Sequence, residues 1–266
     1  MQDRKVRSDQ WNPEGQIIQE IIDKYNDGKS ARRLGFEYDV ADVTITSLLK
    51  RQGIFIRNRS NAKRTNQIHE DIFDTITEES AYWIGFLLAD GNVYHPPRRS
   101  KQLNLGLAAK DWDHLEKFKK FVGSNKSLYY NKNGVFLSIY SNRIVEKLSE
   151  YGIVPRKSKI AKIPESLKNN RHFWRGMVDG DGWVTRHCAN DRPVIGLCGT
   201  HDMVDGFQKF LQIVWHDYKR HAISVKPHSS YCFEMSVCGK WAIKIIRLLY
   251  DSCSVSLDRK CNVIGV

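Results

Sequence analysis

No apolar run in this 266-residue chain reaches the length of a membrane span, so no bilayer-crossing helix is expected. The opening M-Q-D-R-K-V-R-S-D-Q has no apolar core, so it does not read as a secretory signal, and an intracellular location is expected. There is no C-x-x-C pair, which argues against a structural zinc site. The six cysteines (Cys188, Cys198, Cys232, Cys238, Cys253 and Cys261) are all absent from the first two thirds of the chain. In a reducing compartment they are expected as free thiols, several buried as small hydrophobes. Acid is also scarce: 30 Asp and Glu against 42 Lys and Arg give a net charge of +12 and a pI of about 9.4. That balance points to a polyanionic partner. Apolar content of 41% supports a packed core, and the length allows one large domain or two to three small ones.

What is present is a stretch that occurs twice. Trp83 to Gly91 reads W-I-G-F-L-L-A-D-G, and Trp174 to Gly182 reads W-R-G-M-V-D-G-D-G. The acids near their ends are 181 − 90 = 91 residues apart, about the length of a small domain. Each copy reads as a helix. Gly85 and Ala89 share one face of the first, as Gly176 and Gly180 do of the second. Small residues at that spacing let two helix backbones approach closely. Gly91 and Gly182 suit a left-handed residue ending each helix. Asp90 and Asp181 would then sit at helix C-termini, where the macrodipole disfavours an anion. Packing the helices side by side would also bring the two like charges together. A divalent cation between them removes both penalties, and an oxygen donor set suits Mg²⁺, with Mn²⁺ as its substitute. This is the outline of a phosphodiester-cleaving site.

The two stretches resemble the LAGLIDADG motif of homing endonucleases, from about Thr77 to the end of the chain, as two tandem copies. The resemblance places the catalytic, metal-binding acids at Asp90 and Asp181, with the backbone carbonyls of Ala89 and Gly180 as further ligands. The sixth motif position, often Asp, is Leu88 in one copy and Asp179 in the other. It is not the catalytic position, so little is expected to follow from the difference. Trp174 and Arg175 depart from the usual small or aliphatic start. The resemblance implies a pseudo-twofold saddle cutting both strands of a long duplex DNA site, usually leaving short 3′ overhangs. Being already duplicated, the chain is expected to act as a monomer, in a bacterial or phage-infected cytoplasm or an organelle. Two alternatives remain on the same fold: a non-cleaving DNA-binding regulator, against which both retained acids argue, and an intron RNA maturase. An intein is not expected, since the chain opens at Met1 rather than a splicing Cys or Ser and ends I-G-V.

In chain order, residues 1 to 13 are polar. Gly15 to Asn26 carries an apolar stripe of Ile17, Ile18, Ile21, Ile22 and Tyr25, and Asp27-Gly28 ends it. Ser30 is a candidate N-cap for a helix to about Phe36, and Asp42 for a third helix over Val43 to Gln52. Three short helices with a tight connection suggest a helix-turn-helix domain over residues 1–53. Y-N-D-G-K-S-A-R-R-L-G-F resembles the start of resolvase- and transposase-type domains of that kind. Thr44, Thr46, Ser47, Lys50 and Arg51 are its candidate DNA contacts. Residues 54–76, including I-R-N-R-S-N-A-K-R-T-N-Q, read as a basic linker along a phosphate backbone.

The first repeat, 77–165, reads αββαββα: the motif helix, a hairpin interrupted by Pro96-Pro97, a helix from Asp113, a hairpin across Asn133-Gly134, and a helix ending near Tyr151. The second, 166–266, copies it, and Gly106 and Gly196 fall 90 residues apart. The fold class expected is therefore α+β, with a small all-α domain before it. R-K-small follows the last helix of both repeats, at Arg156-Lys157-Ser158 and Arg259-Lys260-Cys261. The resemblance implies a lysine at the active site, and Lys157 with its mate Lys260 is the choice, ahead of Lys159 and Lys162. Strand and loop candidates for reading the DNA major groove are Arg98, Arg99, Lys101, Gln102, Asn104, Arg186, Asn190, Arg192 and Lys226.

Overall fold

The computed structural model describes residues 11–56, 67–97, 99–189, 191–227 and 231–264. The expectations for residues 1–10, the basic run 57–66, Arg98 and Asn190 lie outside these. The chain divides between Thr65 and Asn66 into two compact units.

The first unit is three helices: α1 (Gly15–Asn26), α2 (Ala31–Glu37) and α3 (Asp42–Arg51). The isoleucine stripe of α1 faces a core of Ile21, Tyr25, Leu34, Val40, Ile45, Leu48 and Leu49. Ser30 caps α2 by accepting from the Arg33 N–H at 3.2 Å. The N-cap of α3 is Ala41 rather than Asp42, which sits inside the first turn, where an acid suits the helix dipole. Gly35 lets α2 approach the turn before α3 closely, since a Cβ there would lie 2.7 Å from the Val40 carbonyl oxygen.

The second unit holds two copies of one topology. The first runs α4 (Glu78–Ala89), β1 (Asn92–Tyr94), β2 (Gln102–Leu107), α5 (Trp112–Phe121), β3 (Tyr129–Asn131), β4 (Gly134–Tyr140) and α6 (Asn142–Glu150). The second runs α7 (Arg171–Asp181), β5 (Gly182–Arg186), β6 (Pro193–Gly199), α8 (His201–Val214), β7 (Ser224–Val225), β8 (Phe233–Cys238) and α9 (Lys240–Tyr250), followed by the short α10 (Asp258–Cys261). This is the αββαββα order expected twice over, in an α+β unit. Each repeat forms a four-stranded antiparallel sheet, β1-β2-β4-β3 and β5-β6-β8-β7. In both sheets alternate residues, such as Leu103 and Leu105 or Ile195 and Leu197, enter the core, leaving the other face outward.

Helix α4 starts on a capping box in which Thr77 and Ser80 each accept the other's backbone N–H, at 3.1 and 2.7 Å. Every residue from Ser80 to Leu88 is buried, as expected of a helix at the centre of a core. Residues 68–73, expected as part of a linker, pack with the second unit. Phe73 is buried in the second unit's core, Ile68 and Ile72 pack against it, and the His69 N–H donates to the Val122 carbonyl at 2.9 Å.

Candidate active site

The motif helices α4 and α7 lie against each other at backbone distance. A Cβ at Gly85 would fall 2.2 Å from the Phe173 carbonyl oxygen, and one at Gly176 would fall 2.0 Å from that of Tyr82. The contacts are reciprocal, since Tyr82 and Phe173 are themselves 91 residues apart, and reciprocity is what a twofold relation between two copies requires. Further along, a Cβ at Gly180 would meet the Ala89 side chain at 2.4 Å and lie 3.5 Å from Oδ2 of Asp90. The helix ends therefore touch where the two acids are.

Gly91 and Gly182 do not end these helices in the left-handed region: Gly182 has φ −107° and begins β5 directly, and Gly91 has no positive φ. The reason for glycine is space. A Cβ at Gly91 would lie 2.6 Å from the Leu87 carbonyl oxygen, and one at Gly182 would lie 2.5 Å from that of Gly196.

Asp90 is exposed and Asp181 is half-buried. Crowding by protein raises the pKa of both carboxyls. For Asp181, pushed up to about 6, burial is the larger cause and the Asp90 charge the next. The two carboxylates thus repel, as expected from their spacing. Lys157 and Lys260 counter that repulsion and are both buried, at 6% and 3% exposure. Lys157 Nζ donates to the Gly91 carbonyl at 2.6 Å and the Ala89 carbonyl at 3.1 Å. Lys260 Nζ donates to the carbonyls of Gly182, Asp179 and Val178 at 2.6, 2.7 and 2.8 Å. Each ammonium caps the C-terminal end of one motif helix, where the dipole favours a cation. Burial lowers the pKa of both, that of Lys260 to about 8.

No protein-family model and no curated protein matches the chain. Among solved structures, it is similar to LAGLIDADG homing endonucleases. I-SmaMI bound to cleaved DNA is 13% identical, with a TM-score of 0.47 over 70% of this chain and 86% of that one. I-AabMI bound to uncleaved DNA is 15% identical, with a TM-score of 0.46 over 71% and 88%. I-LtrWI bound to target DNA is 12% identical, with a TM-score of 0.41 over 70% and 85%.

The carbonyl of Ala89, a ligand implied by the LAGLIDADG resemblance, shares its lone pairs with Lys157. Among the described residues no group of three or more His, Cys, Asp or Glu converges on a point. Two carboxylates with backbone oxygens still fit a hard cation that keeps most of its waters, which is the habit of Mg²⁺.

The groove-reading candidates divide. Gln102 and Asn104 lie on the outward face of β2, with Asn104 Oδ1 bonded to Ser138 Oγ at 2.7 Å and Gln102 Nε2 at 2.5 Å. Arg99, Arg192 and Lys226 are exposed. Lys101 is committed to Glu146 at 2.8 Å, and Arg186 to Asp191 at 2.9 Å and the Val263 carbonyl at 3.0 Å. On α3, Ser47, Lys50 and Arg51 are exposed. Thr46 turns its hydroxyl back to the Asp42 carbonyl at 2.8 Å. Thr44 is a correction: it is 1% exposed, on the core face of α3, and has no surface to offer DNA. The thiols are another, since none of the six free cysteines is fully buried.

Two residues of the second motif take no role from the sequence alone: Arg175, a departure from the usual start, and Asp179, which keeps the acid often found at the sixth position. Arg175 is fully buried. It donates to the Val255 and Leu249 carbonyls at 2.9 and 3.0 Å and to Glu78 of the first repeat at 3.1 Å, and its guanidinium lies over the Tyr82 ring. Asp179, 2% exposed, accepts from the Tyr82 hydroxyl at 2.7 Å, the Tyr250 hydroxyl at 2.6 Å and the Leu257 N–H at 2.7 Å. The Trp183 indole lies over Gly196, where a Cβ would come within 2.1 Å of the ring, as the Phe136 ring lies against Gly106 in the first repeat, where a Cβ would come within 2.5 Å.

Proposed function

We propose that the chain is a site-specific endonuclease that makes a divalent-metal-dependent double-strand break in a long duplex DNA target. It acts as a monomer inside the cell that carries that target, in the manner of a two-motif LAGLIDADG homing endonuclease. The observation that carries this reading is the meeting of Asp90 and Asp181 at the touching ends of two glycine-packed helices. Lys157 and Lys260 offset only part of the repulsion there, and a divalent cation bound between the two acids would remove the rest.

Asp90 and Asp181, with the Ala89 and Gly180 carbonyls, would hold Mg²⁺ or Mn²⁺. When bound, the metal supplies Lewis-acid stabilisation of charge on the scissile phosphate and a more acidic water. The chain's own residues do the rest. Lys157 and Lys260 fix the carbonyl ends of the motif helices and add positive charge beside a backbone that arrives as a polyanion. The outward sheet faces offer Gln102, Asn104 and Ser138 on one side and Trp183, Glu234 and Ser236 on the other, and antiparallel strands fit the major groove. The three-helix unit acts as a helix-turn-helix, presenting Ser47, Lys50 and Arg51 to extend the footprint.

The test is incubation with an uninterrupted allele of the chain's own genomic locus, first in Mg²⁺ and then in Ca²⁺. One cut position in Mg²⁺, with binding alone in Ca²⁺, is expected. Asp90→Asn and Asp181→Asn should each keep binding and lower cleavage by at least ~100-fold, the scale of losing a main charge-stabilising group. Tight binding without cutting in either metal would replace the endonuclease with a regulator, and binding to structured RNA alone would replace it with a maturase.

A further inference from the structure

The two active-site lysines are not equivalent, and the difference traces to one buried carboxylate. Leu88 and Asp179 occupy the same motif position, 179 − 88 = 91 residues apart, as do Tyr82 and Phe173, with 173 − 82 = 91. Tyr82 and Asp179 form a hydrogen bond across the repeat interface, whereas the mirrored pair, Phe173 and Leu88, is apolar. The bond has a consequence for Lys260. The Asp179 oxygen that accepts from Tyr82 also accepts from the Leu257 N–H at 2.7 Å, and the Leu257 carbonyl accepts from the Lys260 N–H at 2.8 Å. Lys260 thus sits one turn beyond a backbone amide anchored on Asp179.

The same segment is tied to the first repeat at three further points. The Ser254 N–H donates to Glu78 at 2.8 Å, Lys117 bonds the Ser256 carbonyl at 3.1 Å and Asp258 at 2.5 Å, and Arg259 makes a paired contact with Asp111 at 2.9 and 3.2 Å. The Lys157 segment follows a left-handed residue, Arg156 at φ 60°, and Leu88 offers it no polar atom; its ties to the second repeat are fewer, Thr200 Oγ1 donating to the Ala161 carbonyl at 3.0 Å and Lys159 lying over the Tyr231 ring.

We infer that Asp179 is a positioning residue for Lys260, setting the anchor amide of Leu257 through a carboxylate that Tyr82 of the other repeat holds in place. The active site is therefore asymmetric, rigid on the Lys260 side and looser on the Lys157 side. The inference about lysine position is geometric; its catalytic consequence rests on the endonuclease reading above. A site whose groups are held in place before the substrate arrives reacts faster than one that must order them. Removing Asp179 should therefore slow the strand served from the Lys260 side and leave the other.

The experiment uses the full chain without DNA and an acylating reagent that labels buried amines only as local opening exposes them, with rates read site by site by mass spectrometry. In Asp179→Leu, which copies the first repeat, Lys260 should label about 10-fold faster, the factor expected on losing a charge-assisted hydrogen bond, while Lys157 stays unchanged. Tyr250→Phe removes one of the three donors and keeps the shape; it should give the same selective rise at about 3-fold. Asp179→Asn keeps an acceptor for Leu257 and should restore the native pattern. Lysines 157 and 260 rising together in Tyr250→Phe, or neither rising in either variant, would overturn the inference. A strand-resolved cleavage assay then follows: nicked duplex should accumulate with Asp179→Leu, and equal slowing of both strands would overturn the asymmetry. If the native chain cuts neither strand, the endonuclease reading falls while the labelling result still decides what Asp179 does.

Discussion

At the second position of its motif the first repeat has Ile84, buried among apolar neighbours, and the second has Arg175, equally buried but bonded to two carbonyls and to Glu78 of the other repeat. At the sixth the contrast is Leu88 against Asp179. At the third, both repeats have glycine, and each glycine faces a carbonyl of the partner helix at a distance only glycine allows. The comparison separates two kinds of constraint. Where the demand is steric and arises from the twofold approach of two backbones, the copies agree. Where the demand is polar they diverge, and Arg175 and Asp179 of α7 each reach both the first repeat and the segment that carries Lys260. The second helix holds the assembly together, and the first supplies the surface it holds.

Breaking that division of labour should have graded effects. Arg175→Met makes the second motif apolar like the first and strands Glu78 and two carbonyls; it should destabilise the chain by about 3–5 kcal/mol in urea unfolding, as breaking a buried charged network does. Ile84→Met, its mirror, should cost less than about 1.5 kcal/mol, because it only exchanges one apolar side chain for another. Next come Gly85→Ala and Gly176→Ala. Each drives a methyl into a partner carbonyl, and each should cost about 3 kcal/mol or more. Equal losses are expected, and a loss at one position only would end the claim of twofold packing. A smaller difference separates the lysines. Lys260→Met removes three bonds to carbonyls and Lys157→Met removes two, so the former should lower the unfolding midpoint more, each by about 1–3 kcal/mol. A reversed order would move the rigid side of the site to Lys157.

The division between steric and polar constraint also explains what could be read in the sequence. Gly85, Gly176 and the acids at 90 and 181 were legible because helix periodicity puts small residues on one face whatever lies opposite, and because the spacing repeats. Lys157 and Lys260 were legible as a recurring R-K-small run, though the run did not say that their ammonium groups rest on the carbonyls ending the motif helices. Asp179 and Arg175 were not legible. The partners of Asp179 lie 97, 71 and 78 residues away, and no local pattern encodes a contact across that distance. Thr44 failed for a different reason: polarity suggested a surface residue, but its helical phase matches Ile45 and Leu48, and packing decided. Gly91 and Gly182 were assigned the right residue type for the wrong reason, since a glycine needed for space and one needed for a positive φ look alike in a sequence.

Helix α4 is buried around most of its circumference, and a large part of what covers it is α7. A repeat taken out of the chain would carry a bare apolar helix with a groove shaped for a partner backbone, and would not persist in water as a separate body. The repeats are thus copies in descent but not modules in assembly. Halves from two such proteins can be recombined only where the glycine of each meets a carbonyl placed to receive it, so the heritable unit of this architecture is the pair.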